Sequence, residues 1–132
     1  MEIHEIFTDL GRKNDGESRA KVLLDNDSLA LRTLMRLNFD PTIKLNLSEE
    51  IEYKPAPPHE IYTTINKETK QYVLLVNPNL DRIKANNTFK NMLESLDPRE
   101  ARILNAAKNK DLRVRGLSKK LAIAVWGNRI FS

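Results

Sequence analysis

The chain contains no cysteine, which excludes a disulfide framework, a thiolate metal site and a cysteine nucleophile, and accords with a reducing compartment. Glycine is scarce as well. Gly11, Gly16, Gly116 and Gly127 stand far apart, so there is no glycine-rich loop to cradle a phosphate. No apolar run reaches the roughly 18 residues of a membrane span, and the first residues lack the apolar stretch of a signal peptide, so the expectation is a protein that neither crosses a membrane nor is exported by that route. The two histidines, His4 and His59, lie far apart beside Glu2, Glu5 and Glu60 without the helical spacing of paired metal ligands. No catalytic residue, metal or cofactor is assigned on this basis, and the expectation is a non-catalytic protein.

What remains is a chain of 132 residues, a length that fits a single domain with enough chain to bury a core unaided. Its 40% hydrophobic and 30% charged residues argue against extended disorder. The charge is polarised. Residues 101–132 hold eight Lys or Arg against one acid, Asp111, so that this end is +7, the whole chain is +4 and residues 1–100 are −3.

Periodicity predicts a mainly α fold, one compact domain of about five to six short helices. Ile3, Ile6, Phe7 and Leu10 make one apolar stripe in a helix over 2–13. A short helix follows over 17–24. Asn26-Asp27-Ser28 then offers caps for a third, in which Leu29, Leu31, Leu34, Met35 and Leu37 recur and which Asp40-Pro41 ends. These make a helical half over 1–40. Residues 41–58 read as an extended, proline-containing crossing with Ile43, Leu45, Leu47 and Ile51 as single anchors. Its Lys54-Pro55-Ala56-Pro57-Pro58 segment is either a stiff connector over the protein's own surface or a polyproline ligand, with Pro57 and Pro58 as partner anchors.

Residues 59–132 form a mostly helical half with the basic end. Over 59–77 the reading stays open between a helix followed by one short extended segment and a hairpin through Asn66-Lys67-Glu68-Thr69-Lys70. Phe89, Met92, Leu93 and Leu96 then mark a helix over 78–95. Asp97-Pro98 starts the next one, a carboxylate cap followed by a residue whose missing N–H costs nothing there. Its apolar side is read as Ile103, Leu104, Ala106 and Ala107, with Lys108 and Lys110 set against its own negative pole. After the basic turn Arg113-Val114-Arg115-Gly116, Ser118 caps a last helix from Lys119 to Trp126. In that helix Leu121 and Val125, with Ile123 and Trp126, would face a core. Lys119 and Lys120 fall in its first turn, where the dipole disfavours cations by up to about 1 kcal/mol. The two helices and their basic connection are also compatible with a helix-turn-helix, although a link of about six to eight residues exceeds the short turn of that motif.

The runs Leu23-Leu24-Asp25-Asn26-Asp27-Ser28-Leu29-Ala30-Leu31-Arg32-Thr33-Leu34, Leu37-Asn38-Phe39-Asp40-Pro41 and Tyr53-Lys54-Pro55-Ala56-Pro57-Pro58, with Leu93 to Ala101, Lys108-Asn109-Lys110 and Gly116 to Leu121 later in the same order, resemble a family of small uncharacterised proteins of T-even-like myoviruses, including cyanophages. The chain departs from that pattern at Val125-Trp126-Gly127, where such proteins close with a Phe-Pro pair. The resemblance implies a phage origin and a place in the cytoplasm of an infected bacterial host. It implies no activity.

Two functional readings follow. In the first, a non-catalytic accessory protein associates with nucleic acid during replication, recombination or transcription, with Arg113, Arg115, Lys119 and Lys120 on phosphates. In the second, a protein-interaction module binds an acidic surface of a host or phage protein, with Trp126 and the prolines as anchors. A minor virion component is a third possibility.

Overall fold

Short polar caps set most helix starts. Asp15 accepts a hydrogen bond from the Ser18 amide at 2.7 Å, Ser28 from Leu31 at 3.1 Å, Asp97 from Arg99 at 2.9 Å and Ser118 from Leu121 at 3.1 Å. Each satisfies an amide that the helix itself leaves unpaired, a contribution of about 1 kcal/mol. The computed structural model describes residues 1–43, 47, 50–57, 62–68 and 81–131. Among these the α-helices are α1 (Ile3–Gly11), α2 (Gly16–Asp25), α3 (Leu29–Phe39), α4 (Arg82–Ser95), α5 (Pro98–Lys108) and α6 (Lys119–Trp126), and a 3-10 turn over Asn128–Phe131 closes the chain. The protein is mainly α, as the periodicity predicts, and α4 opens at Arg82 behind the cap of Asp81.

The extended crossing is irregular where it is described. Leu47 and Ala56 are buried, and Ile43, Ile51 and Tyr53 pack half-buried on the core. The expected anchor Leu45 and the proline Pro58 lie outside the described residues.

The stretch after the crossing corrects the hairpin reading. Thr63 pairs with the link between α4 and α5: its amide donates to the Ser95 carbonyl at 2.9 Å and its carbonyl accepts from the Asp97 amide at 3.1 Å. Residues 65–68 are helical, so no hairpin turn runs through Asn66, Lys67 and Glu68, and the other residues proposed for it lie outside the described ones. Among the described residues, the strand composition around Thr63 gives an isolated bridge to Leu96.

The core gathers around α5, which packs on α1, α3 and α4. Ala101, Leu104 and Ala107 on its inner face are fully buried, and two alanines there permit close approach of neighbouring helices. The expected inner face was rotated by a few residues: Ile103 and Ala106 are only half-buried, and Glu100 takes an inner position with no exposed surface. The last helix is corrected in the same sense. Only Ala122 of α6 is fully buried, with Leu121, Ile123, Val125 and Trp126 intermediate, because α6 lies on the rim against α2 and the 3-10 turn and not in the centre.

A buried carboxylate is costly unless its oxygens are hydrogen-bonded, and Glu100 meets that condition by facing two helix N-termini. Its Oε2 accepts from the His4 amide at 2.8 Å in the first turn of α1 and lies 3.2 Å from His4 Nδ1, while Oε1 accepts from the Ile65 amide at 3.4 Å where the helical turn at 65–68 begins. Both helix ends carry positive partial charge. A Glu100→Gln variant must turn its amide nitrogen toward one of these donors and lose that bond, so it is expected to unfold in urea with about 1–3 kcal/mol less stability. Unchanged stability in that variant would show that the carboxylate does not hold α1 in place.

Candidate nucleic-acid interface

The segment linking α5 to α6 holds the four cations singled out in the sequence, and local chemistry dictates its course. At Lys110 the backbone turns left-handed with φ of 56°, which ends α5. Residues 111–115 then alternate: Leu112 and Val114 pack half-buried on the core while Asp111, Arg113 and Arg115 are exposed. A side-chain period of two is that of extended backbone. The Leu112 amide is held by the Asn38 side-chain oxygen at 3.0 Å. A turn then closes with the Leu117 amide on the Val114 carbonyl at 3.0 Å. Gly116 occupies its third position with φ of 86°, a left-handed conformation that calls for glycine.

Arg113, Arg115, Lys119 and Lys120 are all exposed. Arg113 pairs with Asp111 at 3.0 Å, but the two side chains are 86% and 62% exposed, and such surface pairs contribute about 0–1 kcal/mol. Lys119 and Lys120 do open α6, against its dipole. Nearby Asp40 compensates in part, since Thr42, with hydrogen bonds from amide and hydroxyl, and then the charges of Lys110 and Lys119 hold its carboxyl below the ordinary aspartate value. The link between α5 and α6 is the ten residues 109–118. It is longer than expected, and α6 packs chiefly on α2, so the pair does not form the compact unit of a helix-turn-helix.

One lysine of the basic end, Lys110, has a use beyond the expected one. Its Nζ reaches the end of α3 and donates to the carbonyls of Leu37, Asp40 and Ile43 at 2.6, 2.7 and 2.8 Å, where the helix leaves acceptors unpaired. Lys110 and Asn38 together fix where the basic segment leaves the core.

Beside that segment a groove of about 520 Å3 lies between α1, α5 and residues 111–114. Phe7, Ile103, Ala106, Leu112 and Val114 supply its apolar floor, and Arg99, Arg102 and Arg113 stand around it with His4 and Thr8. Arg99 pairs with Asp97 at 2.9 Å. Arg102 has no carboxylate partner among the described residues. Sequence reasoning counted Arg102 in the basic end but did not place it or Arg99 in a site. Their spacing of i and i+3 on α5, which puts both on one helix face, was the signal available.

The expected partner anchors are placed as follows. Trp126 is half-buried and its indole N–H donates to Asp27 Oδ1 at 3.1 Å. Asp27 is also bonded by Arg32, whose Nε donates at 2.7 Å, so the indole ties the end of α6 to the start of α3. Pro57 is exposed and its carbonyl accepts from the Tyr62 hydroxyl at 2.9 Å, while the Lys54 amide donates to Glu94 on α4 at 2.8 Å. The described part of the proline segment is therefore strapped to its own protein.

The fold and this surface define a small all-α domain with a cationic segment beside a groove. The chain belongs to a family of unknown function, DUF6433, whose pattern matches residues 6–114. The match takes in Arg99, Arg102 and Arg113 but ends before Arg115, Lys119, Lys120 and Trp126. No curated protein and no solved structure matches the chain. Among the described residues, no helix is long and apolar enough to cross a membrane.

Two outcomes are expected. Lys110→Met keeps the apolar stem but removes three charge-assisted hydrogen bonds, and should lower stability in urea denaturation by about 1–3 kcal/mol. Asp27 is held below the ordinary aspartate value of 3.8 by its hydrogen bond from Arg32, with the Arg32 charge and Trp126 adding to it. Its contribution to stability is therefore present above 3.8 and lost as pH falls through the depressed folded value. The fluorescence of Trp126, the sole tryptophan, should change with a midpoint below 3.8, and Asp27→Asn should abolish that step. A step retained in the variant would assign it to another carboxylate.

Proposed function

We propose that the protein is a non-catalytic accessory protein that associates with nucleic acid through its basic C-terminal segment, with Arg113, Arg115, Lys119 and Lys120 contacting phosphates. The observation that carries this reading is that all four side chains are exposed within one eight-residue stretch whose backbone is pinned by Asn38, Lys110 and the Gly116 turn. Cations on a fixed frame lose less freedom on meeting a phosphate backbone than cations on a loose tail. The myovirus-like residue runs support a bacteriophage setting, in which the protein acts in the cytoplasm of the infected host during replication, recombination or transcription.

A second reading, an interaction module for a host or phage protein, is favoured by a separate observation. Met1 and Leu29 are 68% and 64% exposed and line one shallow groove with Asp25 and Asp27, at a place remote in sequence from the cations. Stoichiometric capture of one protein, abolished by Leu29→Asp and accompanied by no affinity for DNA or RNA, would establish that reading over the first.

Binding through four phosphates predicts a slope of log affinity against log salt of about −2.8 to −3.6, hence about a 50- to 150-fold loss between about 50 and 200 mM salt. Replacing Arg113, Arg115, Lys119 and Lys120 with Ala should remove both the binding and the slope while leaving the helical circular dichroism intact. No binding at low salt, or a variant that binds like the parent, would defeat the proposal.

A further inference from the structure

The groove beside the basic segment has what an exposed ridge lacks, a half-buried apolar floor beneath cations. Its volume of about 520 Å3 lies within the range of about 300–1,000 Å3 in which small ligands are held. Arg113 belongs both to the ridge and to the groove wall, so a backbone lying on the ridge leads into the groove. Arg99 and Arg113 are tied to Asp97 and Asp111, each two residues away in sequence, by pairs with Arg99 and Arg113 themselves well exposed. The Arg113–Asp111 pair, exposed on both sides, is weak and exchanges readily for a phosphate, whereas Asp97, only 13% exposed, holds Arg99 at the groove edge. Arg102 stands exposed between them. The floor would bury an apolar face of a ligand whose edges are anionic, and the bases of a duplex, paired and stacked inside it, cannot reach such a floor.

Resting on the nucleic-acid reading above, we infer that this groove takes an unpaired nucleotide of single-stranded nucleic acid. Its base lies against Ile103, Ala106, Leu112 and Val114, and its flanking phosphates lie on Arg102 and Arg113. Single strands are generally held by a cationic groove that follows the backbone while unstacked bases lie on aromatic side chains or guanidinium planes; here the arginine guanidinium groups of the groove supply such planes over an aliphatic floor. The chain is then selective for single strands without reading their sequence.

The test titrates the full chain with labelled oligothymidylate and oligouridylate of about ten nucleotides and with a mixed-sequence duplex at about 50 mM salt. Single strands should bind at least about tenfold more tightly than the duplex, with the two oligomers distinguishing DNA from RNA. Ala106→Phe, which fills the floor from an already half-exposed position, should cost single-strand affinity about tenfold or more and leave duplex affinity as it was. Amide shifts in the unmodified protein on adding oligothymidylate or oligouridylate should cluster at Thr8, Ala106 and Val114, a readout that stands even if Ala106→Phe misfolds. Equal affinity for single strands and duplex, or shifts confined to Arg115, Lys119 and Lys120, would overturn the groove assignment and leave the ridge reading standing. Failure of every oligonucleotide to bind would overturn both.

Discussion

The buried carboxylate of Glu100 is the constraint on which the arrangement of this domain turns. It sits on α5 with no exposed surface, and every favourable way to keep it there brings backbone amides to it. The first turn of α1 supplies one, and the turn at 65–68 supplies another. A charge in that position is tolerated only while its partners stay in place, since removing them would leave an ion with neither water nor donors. The position of α1 against α5 is set in part by this requirement, and with it one wall of the groove that His4, Phe7 and Thr8 line.

A second, half-buried clamp works from the opposite charge. Lys110 places an ammonium over the open end of α3, and its three carbonyl partners leave that ion well satisfied. The same residue turns the chain left-handed out of α5. One lysine thus ends one helix, caps another and starts the exposed segment in a fixed direction. The net +7 of residues 101–132 is divided accordingly: Lys110 is spent on the fold, whereas Arg113, Arg115, Lys119 and Lys120 reach solvent. Net charge alone would overstate the cations available to a partner.

The two pairs around the groove differ in how firmly they hold. Arg113 with Asp111 is exposed on both sides and weak, whereas Arg99 is exposed but meets an Asp97 carboxylate that is only 13% exposed. Asp97 is also the cap of α5, and its carboxyl is held below the ordinary aspartate value first by the Arg99 side chain and then, beyond the opposing effect of burial, by the Arg99 amide and charge. One acid therefore serves the helix start and positions a cation at the groove.

Much of the fold was legible in the sequence because helix starts are local events. Ser28, Asp97 and Ser118 cap amides two or three residues away, and the stripe Ile3, Ile6, Phe7 and Leu10 reports a buried helix face by its spacing alone. The basic turn Arg113-Val114-Arg115-Gly116 was legible as a sequence feature, but its exposure was decided only by the tertiary structure. What only the tertiary structure decided are the contacts made across large sequence separations: Glu100 with His4 and Ile65, Lys110 with the end of α3, Trp126 with Asp27, and the meeting of α1, α5 and residues 111–114 around one groove. Composition and periodicity mark the apolar side of a helix approximately, and in α5 and α6 they missed which residues are fully buried. They do not say which other helix a buried ion will face, because that depends on how elements far apart in the chain satisfy each other's unpaired amides and carbonyls.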